Sequence, residues 1–181
     1  MDKAELISKL KRIDEDIFFS GVLQEGQRVG VIIVGAGALL LSNLSSKGAT
    51  KDVDILRAEE SVKPFLLRDA DFNSQCAAYE ACLPYNFEDR IERIDLDTYV
   101  LDIYVPSLED VAVMKLYRWE APDMADLTAP EFLKKLDWAV LDHLVHSPEE
   151  AAASRCALPE QDRELKNLLH NYHAYEEGWR R

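Results

Sequence analysis

Val29 to Leu56 reads VGVIIVGAGALLLSNLSSKGATKDVDIL, and the fold turns on how this stretch is parsed. Val29 to Val34 is a short β-branched run, the composition of a buried strand. Gly35-Ala36-Gly37 breaks it, and Ala38 to Leu44 is rich in helix formers, so a helix starts at that turn. Ser45 to Lys51 is a polar loop. Asp52-Val53-Asp54-Ile55-Leu56 then alternates acid with apolar residue, the period of a second strand. On a strand, residues two apart share a face, so both carboxylates project together while Val53 and Ile55 go to the other side. Like charges so placed repel unless a cation holds them. Mg²⁺ (or Mn²⁺) accepts such a pair, because it takes hard oxygen ligands and completes its shell with substrate phosphates.

A bare Asp-x-Asp is short and common, and its ordinary explanation is a solvated strand end. The upstream turn supplies context. Backbone N–H groups at a helix N-terminus, reached through glycines, make an anion site. A phosphate cradle beside a metal pair is what nucleotidyl or phosphoryl transfer needs. Asp102, inside the apolar run Val100 to Val105, is costly to bury alone and so needs a partner or a cation. It is the candidate third carboxylate, with Asp95 the runner-up.

Working outward, Leu6, Ile7, Leu10, Ile13, Ile17 and Phe18 recur at helical spacing, predicting an amphipathic helix over 2–19. Residues 24–27 form a loop, 61–70 read as helix, and 71–88 are ambiguous because Pro84 prevents one continuous helix. Strands are expected over 90–95 and 98–105, joined tightly at Leu96-Asp97. Ser107 and Asp110 make a variant capping box for a helix carrying Val111, Met114, Leu116 and Trp119. Helices follow over about 123–127, 130–146 and 159–176, the last with a stripe of Leu158, Leu165, Leu169, Tyr172 and Tyr175. The expectation is one α/β (α+β) domain over 1–181. Residues 1–127 would form a small mixed sheet packed by helices, and 128–181 a helical C-terminal extension.

Hydrophobic residues are 48% of the chain and charged residues 30%, a globular balance that argues against disorder. The formal net charge of −13 repels polynucleotide phosphates and favours a small substrate or a basic partner. The 31–41 apolar stretch is interrupted by glycines and is too short to span a membrane. No signal-peptide h-region opens the chain, and Cys76, Cys82 and Cys156 are odd in number, so a cytoplasmic protein with reduced thiols is expected.

The segment VGAGALLLSNLSSKGATKDVDIL resembles the opening motif of minimal nucleotidyltransferase proteins: Gly-Gly/Ser-x-Ala-Leu, a basic residue, then Thr-x-Asp-hydrophobic-Asp. VPSLEDVAVMKLYRWEAPDMADL is similar to a downstream signature of the AbiEii-like branch, which includes toxins of type IV toxin–antitoxin systems. The resemblance spans roughly residues 30–127. It implies an NTP bound at Gly35, Ala36 and Gly37, with Lys47 as the basic residue and Thr50 as the motif threonine. It implies metal ligation by Asp52 and Asp54 and phosphate contact by Lys115. Asp123 and Asp126 match the later acidic pair. A tRNA end as acceptor and an antitoxin as partner are further implications. The chain departs from the pattern at Ala36 and Gly37, which lack the usual glycine and hydroxyl, and at Glu120-Ala121-Pro122, where basic residues are usual.

Other readings compete. A catalytically weak member acting as an interaction module is favoured by those departures, and opposed by Asp52, Asp54 and Lys115. A dinucleotide-binding protein is suggested by Gly-x-Gly after a strand, but Leu40 replaces the third glycine and too few βα units follow. His143/His146 and His170/His173 have helical spacing without an accompanying ligand pattern, and read as surface or core-edge residues. Tyr172, Tyr175 and Trp179 read as a packing face. Lys9, Lys11 and Arg12 read as a solvated helix face.

Overall fold

Apolar alternation places most of the strands where the sequence predicts. In the computed structural model, which describes residues 1–76, 82–147 and 162–180, β1 is Val29–Val34 and β2 is Val53–Ala58. With β3 (Phe72–Asn73), β4 (Glu92–Ile94) and β5 (Leu101–Val105) they form a mixed sheet in the order β3-β2-β1-β5-β4. β1 runs antiparallel to β2 and parallel to β5. The chain divides into two compact units, Met1–Ala77 with Ile91–Pro106, and Ala78–Arg90 with Ser107–Arg181. The sheet lies wholly in the first.

One face of that sheet is the core of the first unit. Val29, Val31, Ile33, Val53, Ile55, Leu101, Ile103 and Val105 point into it, alternating with residues of the opposite face. Helix α1 (Lys3–Ser20) covers it with Leu6, Leu10, Ile13 and Ile17. Asp2 caps its start by accepting from the Glu5 N–H, and Gly21 ends it in the left-handed conformation. Helix α2 (Gly35–Leu41) and the short α3 (Lys63–Leu66) complete the layer.

The structure departs from the sequence reading at several places. α2 begins at Gly35 itself, and the predicted 61–70 helix shrinks to one turn. The ambiguous 71–88 segment supplies β3 and a 3₁₀ turn at Phe87–Arg90. The expected tight turn at Leu96-Asp97 is a longer loop, organised from below by a buried acid. Asp14 on α1, 1% exposed, accepts from the N–H groups of Tyr99 (2.7 Å), Val100 (2.9 Å) and Leu101 (2.8 Å). Three backbone donors thus gain a partner inside the domain without strand pairing.

The second unit is helical: α4 (Leu108–Arg118), α5 (Ala121–Leu127), α6 (Pro130–Lys135), α7 (Trp138–His146) and α8 (Asp162–Trp179). Ser107 caps α4 as its position predicts, accepting from the Asp110 N–H at 3.1 Å. The single helix predicted over 130–146 is split because Asp137 starts a new one, accepting from Ala139 and Val140. Tyr172 and Tyr175 are fully buried packing residues, and the Tyr175 hydroxyl donates to the Leu127 carbonyl at 2.7 Å. By contact, residues 107–127 group with the later helices. Leu158, Cys156 and the predicted helix start at 159 lie outside the described residues.

Candidate functional site

The last residue pair of the β1–β2 ladder defines the site. A register shift between Ile32 and Ile33 leaves Ile33 opposite Ile55 and Val34 opposite Asp54. Asp54 therefore lies across from the residue that leads directly into Gly35. Gly35 has φ +66°, a conformation glycine adopts without Cβ strain. This lets the strand turn at once into α2, whose N-terminus receives no side-chain cap. Gly37 has a different task. A Cβ there would lie 3.2 Å from Ile33 Cγ2 and 3.4 Å from Val53 Cγ1, so glycine lets α2 sit down on both strands. Ala36, between them, is exposed.

Asp52 is exposed just before β2 and Asp54 is half-buried within it. Thr50 does not point outward as a phosphate ligand. Its hydroxyl donates to the Asp52 carbonyl at 2.8 Å, and its backbone pairs with Met1, which fixes the approach to the acids. Lys47 is an exposed residue of the preceding turn.

Asn73 is the residue that sequence reasoning missed. It is the Cα partner of Asp54 in the parallel β2–β3 pairing, and its Nδ2 donates to Asp54 Oδ1 at 3.0 Å. Its own Oδ1 accepts from the Gln75 N–H at 3.1 Å, which sets the amide orientation. A strand of only two residues leaves no periodic signal, so nothing in the sequence marked it. Nearby, Cys76 donates to the Ile55 carbonyl, and burial, with the charge of Asp54 adding to it, pushes its thiol up to about 12. It stays protonated and inert.

Asp102 is not brought to the pair. It sits opposite Gly30 on β5, on the other side of β1, four residues and about 13 Å of strand from Val34. Its carboxylate is held by Arg28 (2.9 Å) and Arg93 (2.7 Å). Hydrogen bonding to Arg28 is the main cause that keeps its pKa below the ordinary carboxylate range. The acid inside an apolar strand did require a partner, and two arginines fill that role instead of a shared cation. Asp95 is exposed in the loop, where its carboxylate accepts from the Asp97 N–H. Among the described residues, no three His, Cys, Asp or Glu side chains gather in a metal-sized group.

The downstream residues form a centre of their own in the second unit. Lys115, 3% exposed, donates to Asp123 at 3.1 Å and Asp126 at 2.9 Å. Arg118 also donates to Asp123. Asp123 closes a capping box with Glu120 at the start of α5. Burial pushes the Asp123 carboxyl up, but Arg118 and Lys115 outweigh it and hold the group below its usual range. The three residues that the motif resemblance singled out do come together, as a buried and internally neutralised network. Lys115, expected to contact phosphate, has its ammonium between two carboxylates. The histidine pairs lie on α7 and α8, where His146 rests edge-on against Tyr172.

A mixed sheet with a glycine turn closing one strand and Asp-x-Asp opening its antiparallel neighbour defines an α+β protein with an acidic strand-end site. The chain belongs to the family described as nucleotidyltransferase of unknown function (DUF6036), whose model matches residues 8–180. No curated protein and no solved structure matches it. Among the described residues, no helix is long and apolar enough to cross a membrane.

Proposed function

We propose that the chain transfers a nucleotidyl group from an NTP to an acceptor hydroxyl, using the end of the β1–β2 ladder as its site. The observation that carries this reading is the pairing of Val34 with Asp54, which sets the uncapped start of α2 beside the carboxylates. Asp52 and Asp54 offer only hard oxygen donors, a set suited to Mg²⁺ or Mn²⁺ with phosphate oxygens and water completing the shell. When bound, such an ion supplies charge neutralisation on the phosphates and lowers the pKa of the attacking hydroxyl. The backbone N–H groups of Gly35 to Gly37 hold the phosphates, and the small side chain of Ala36 leaves their approach open. The acceptor oxygen forms a bond to the α-phosphorus, the bond from that phosphorus to the bridging oxygen breaks, and pyrophosphate leaves. Lys115 has no part in this reading, because its ammonium is already held by two carboxylates.

The motif resemblance to type IV toxins supports a tRNA end as one acceptor to test, and an antitoxin as one partner. The net charge of −13 supports a small-molecule or protein hydroxyl instead. A second reading, an interaction module with weak or no turnover, draws on Asp102. With that acid held by arginines, no third carboxylate gathers with Asp52 and Asp54 among the described residues. Calorimetry with each NTP, with and without Mg²⁺, on wild type and Asp54→Asn separates them. Mg²⁺-dependent binding lost in Asp54→Asn, together with pyrophosphate release, is the expected result. Binding without release supports the module, and no Mg²⁺-dependent binding in wild type overturns the site.

A further inference from the structure

The first unit has an apolar corner that its own core does not use. The buried stripe of α1 ends at Ile17, and the two residues after it turn outward, Phe18 48% and Phe19 80% exposed. Val22, beyond the helix end, and Tyr99, in the loop before β5, are exposed beside them. Phe18 and Phe19 meet edge to face at 5.2 Å, and Phe18 stacks on Tyr99 at 5.0 Å. The Tyr99 backbone is held on both sides. Asp14 accepts from its N–H, and the Arg28 guanidinium donates to its carbonyl at 2.7 Å. A hollow of about 350 Å³ lined by Phe18, Leu23, Glu25 and Tyr99 opens next to the rings.

We propose that this corner is a docking surface for a cationic, partly apolar segment of a partner protein. Charge decides among the possible occupants. The neighbouring chain is acidic: exposed Glu15 and Asp16 lie one turn back on α1, Glu25 lines the hollow, and exposed Asp97 precedes Tyr99 by two residues. Arg28, whose guanidinium reaches the Tyr99 carbonyl, is engaged by Asp102 and by loop carbonyls. A second copy of a chain carrying −13 is repelled, and so are nucleic acid and anionic lipid. A guanidinium or ammonium gains twice here, by lying over the Phe18 and Tyr99 faces and by pairing with Glu25. Leucine-like neighbours in the same segment then cover Phe19 and Val22. Because Tyr99 is fixed in advance, little ordering entropy opposes binding.

The test titrates the full chain with a synthetic peptide alternating Leu and Arg, followed by ¹⁵N NMR. A Ser/Arg peptide of the same charge serves as control. The expected result is saturable shifts concentrated in residues 15–27 and 95–101, and affinity at least about tenfold weaker for the Ser/Arg peptide. Phe19→Ser, at a position too exposed to affect folding, and Glu25→Lys each weaken the Leu/Arg peptide while the melting temperature is unchanged. Equal affinity for both peptides with shifts spread over the whole acidic surface overturns the proposal. Self-association in sedimentation that Phe19→Ser abolishes, or binding to zwitterionic vesicles in preference to the peptide, overturns it as well.

Discussion

Val34 and Asp54 face each other at the end of an antiparallel ladder whose register shifts just before them. With that shift, the acid lies level with the residue that enters the glycine turn, and Ile33 and Ile55 are still paired in the core. The position of the proposed site thus follows from a backbone irregularity as much as from the acids themselves.

Asn73 follows directly. Its amide holds one Asp54 oxygen and is itself held by Gln75, so it orients the carboxylate. Outer-shell partners of metal ligands typically contribute about 10–100-fold to affinity. Asn73→Ala is expected to weaken Mn²⁺ binding, read by electron paramagnetic resonance, by about tenfold at unchanged melting temperature. If wild type binds Mn²⁺ and the variant binds equally well, Asn73 has no positioning role.

The glycine turn gives a second prediction. Gly37→Val places a branched side chain where even a Cβ already crowds Ile33 and Val53, and overpacking costs about 1–3 kcal/mol. Gly35→Ala forces a non-glycine residue to φ +66°, at about 1–2 kcal/mol. Urea unfolding should show both losses. Ala36→Gly, between them and exposed, should change stability far less.

How much of this was legible before the structure depended on periodicity. β1 and α1 lie where alternation and helical spacing put them, because each buries one continuous face. The Asp52/Asp54 neighbourhood was legible for the same reason. β3 was not, since two residues carry no period, and with it Asn73 was lost. Asp102 was read correctly as needing a partner, but Arg28 and Arg93 are distant or irregularly spaced in sequence and gave no sign of converging on it. Lys115 shows the reverse. The motif flagged it with Asp123 and Asp126, and the structure makes the grouping real while giving it a different chemistry.

That chemistry predicts a stability role. Removing Lys115 leaves Asp126 without that ion pair and Asp123 dependent on Arg118, and breaking a buried pair from one side costs about 3–5 kcal/mol. Lys115→Ala should lower the urea midpoint strongly. Lys115→Met with Asp126→Leu should recover part of the loss, because the double change removes both charges. A Lys115→Ala protein of normal stability with reduced NTP affinity would contradict this and restore the phosphate role.

Acid should weaken the fold. Asp69 beside Lys9, Asp102 beside Arg28, and Asp123 against burial all have carboxyl pKa values held below the ordinary one. A depressed folded-state pKa means the stabilisation is complete above the unfolded value, about 3.9 for Asp, and is lost as pH falls through the lower folded values. Urea midpoints should therefore hold down to about pH 5 and drop steeply below pH 4. Asp123→Asn should flatten part of that drop while lowering stability at neutral pH.

Asp14 carries a heavy load, because a single carboxylate serves Tyr99, Val100 and Leu101 together. Asp14→Ala leaves three backbone donors without that acceptor, two of them in buried hydrogen bonds, at about 1–3 kcal/mol for each group left unsatisfied. Asp14→Asn keeps one acceptor oxygen and should lose less. Native-state hydrogen exchange localises the effect: the amides of Tyr99, Val100 and Leu101 should lose protection in Asp14→Ala before those of β1 do. Because this acid also fixes Tyr99, the same variant should weaken the Leu/Arg peptide without touching any residue of the aromatic corner. Unaltered protection at 99–101 would mean that Arg28, through its contacts with Thr98, Tyr99 and Leu101, is sufficient to hold the loop.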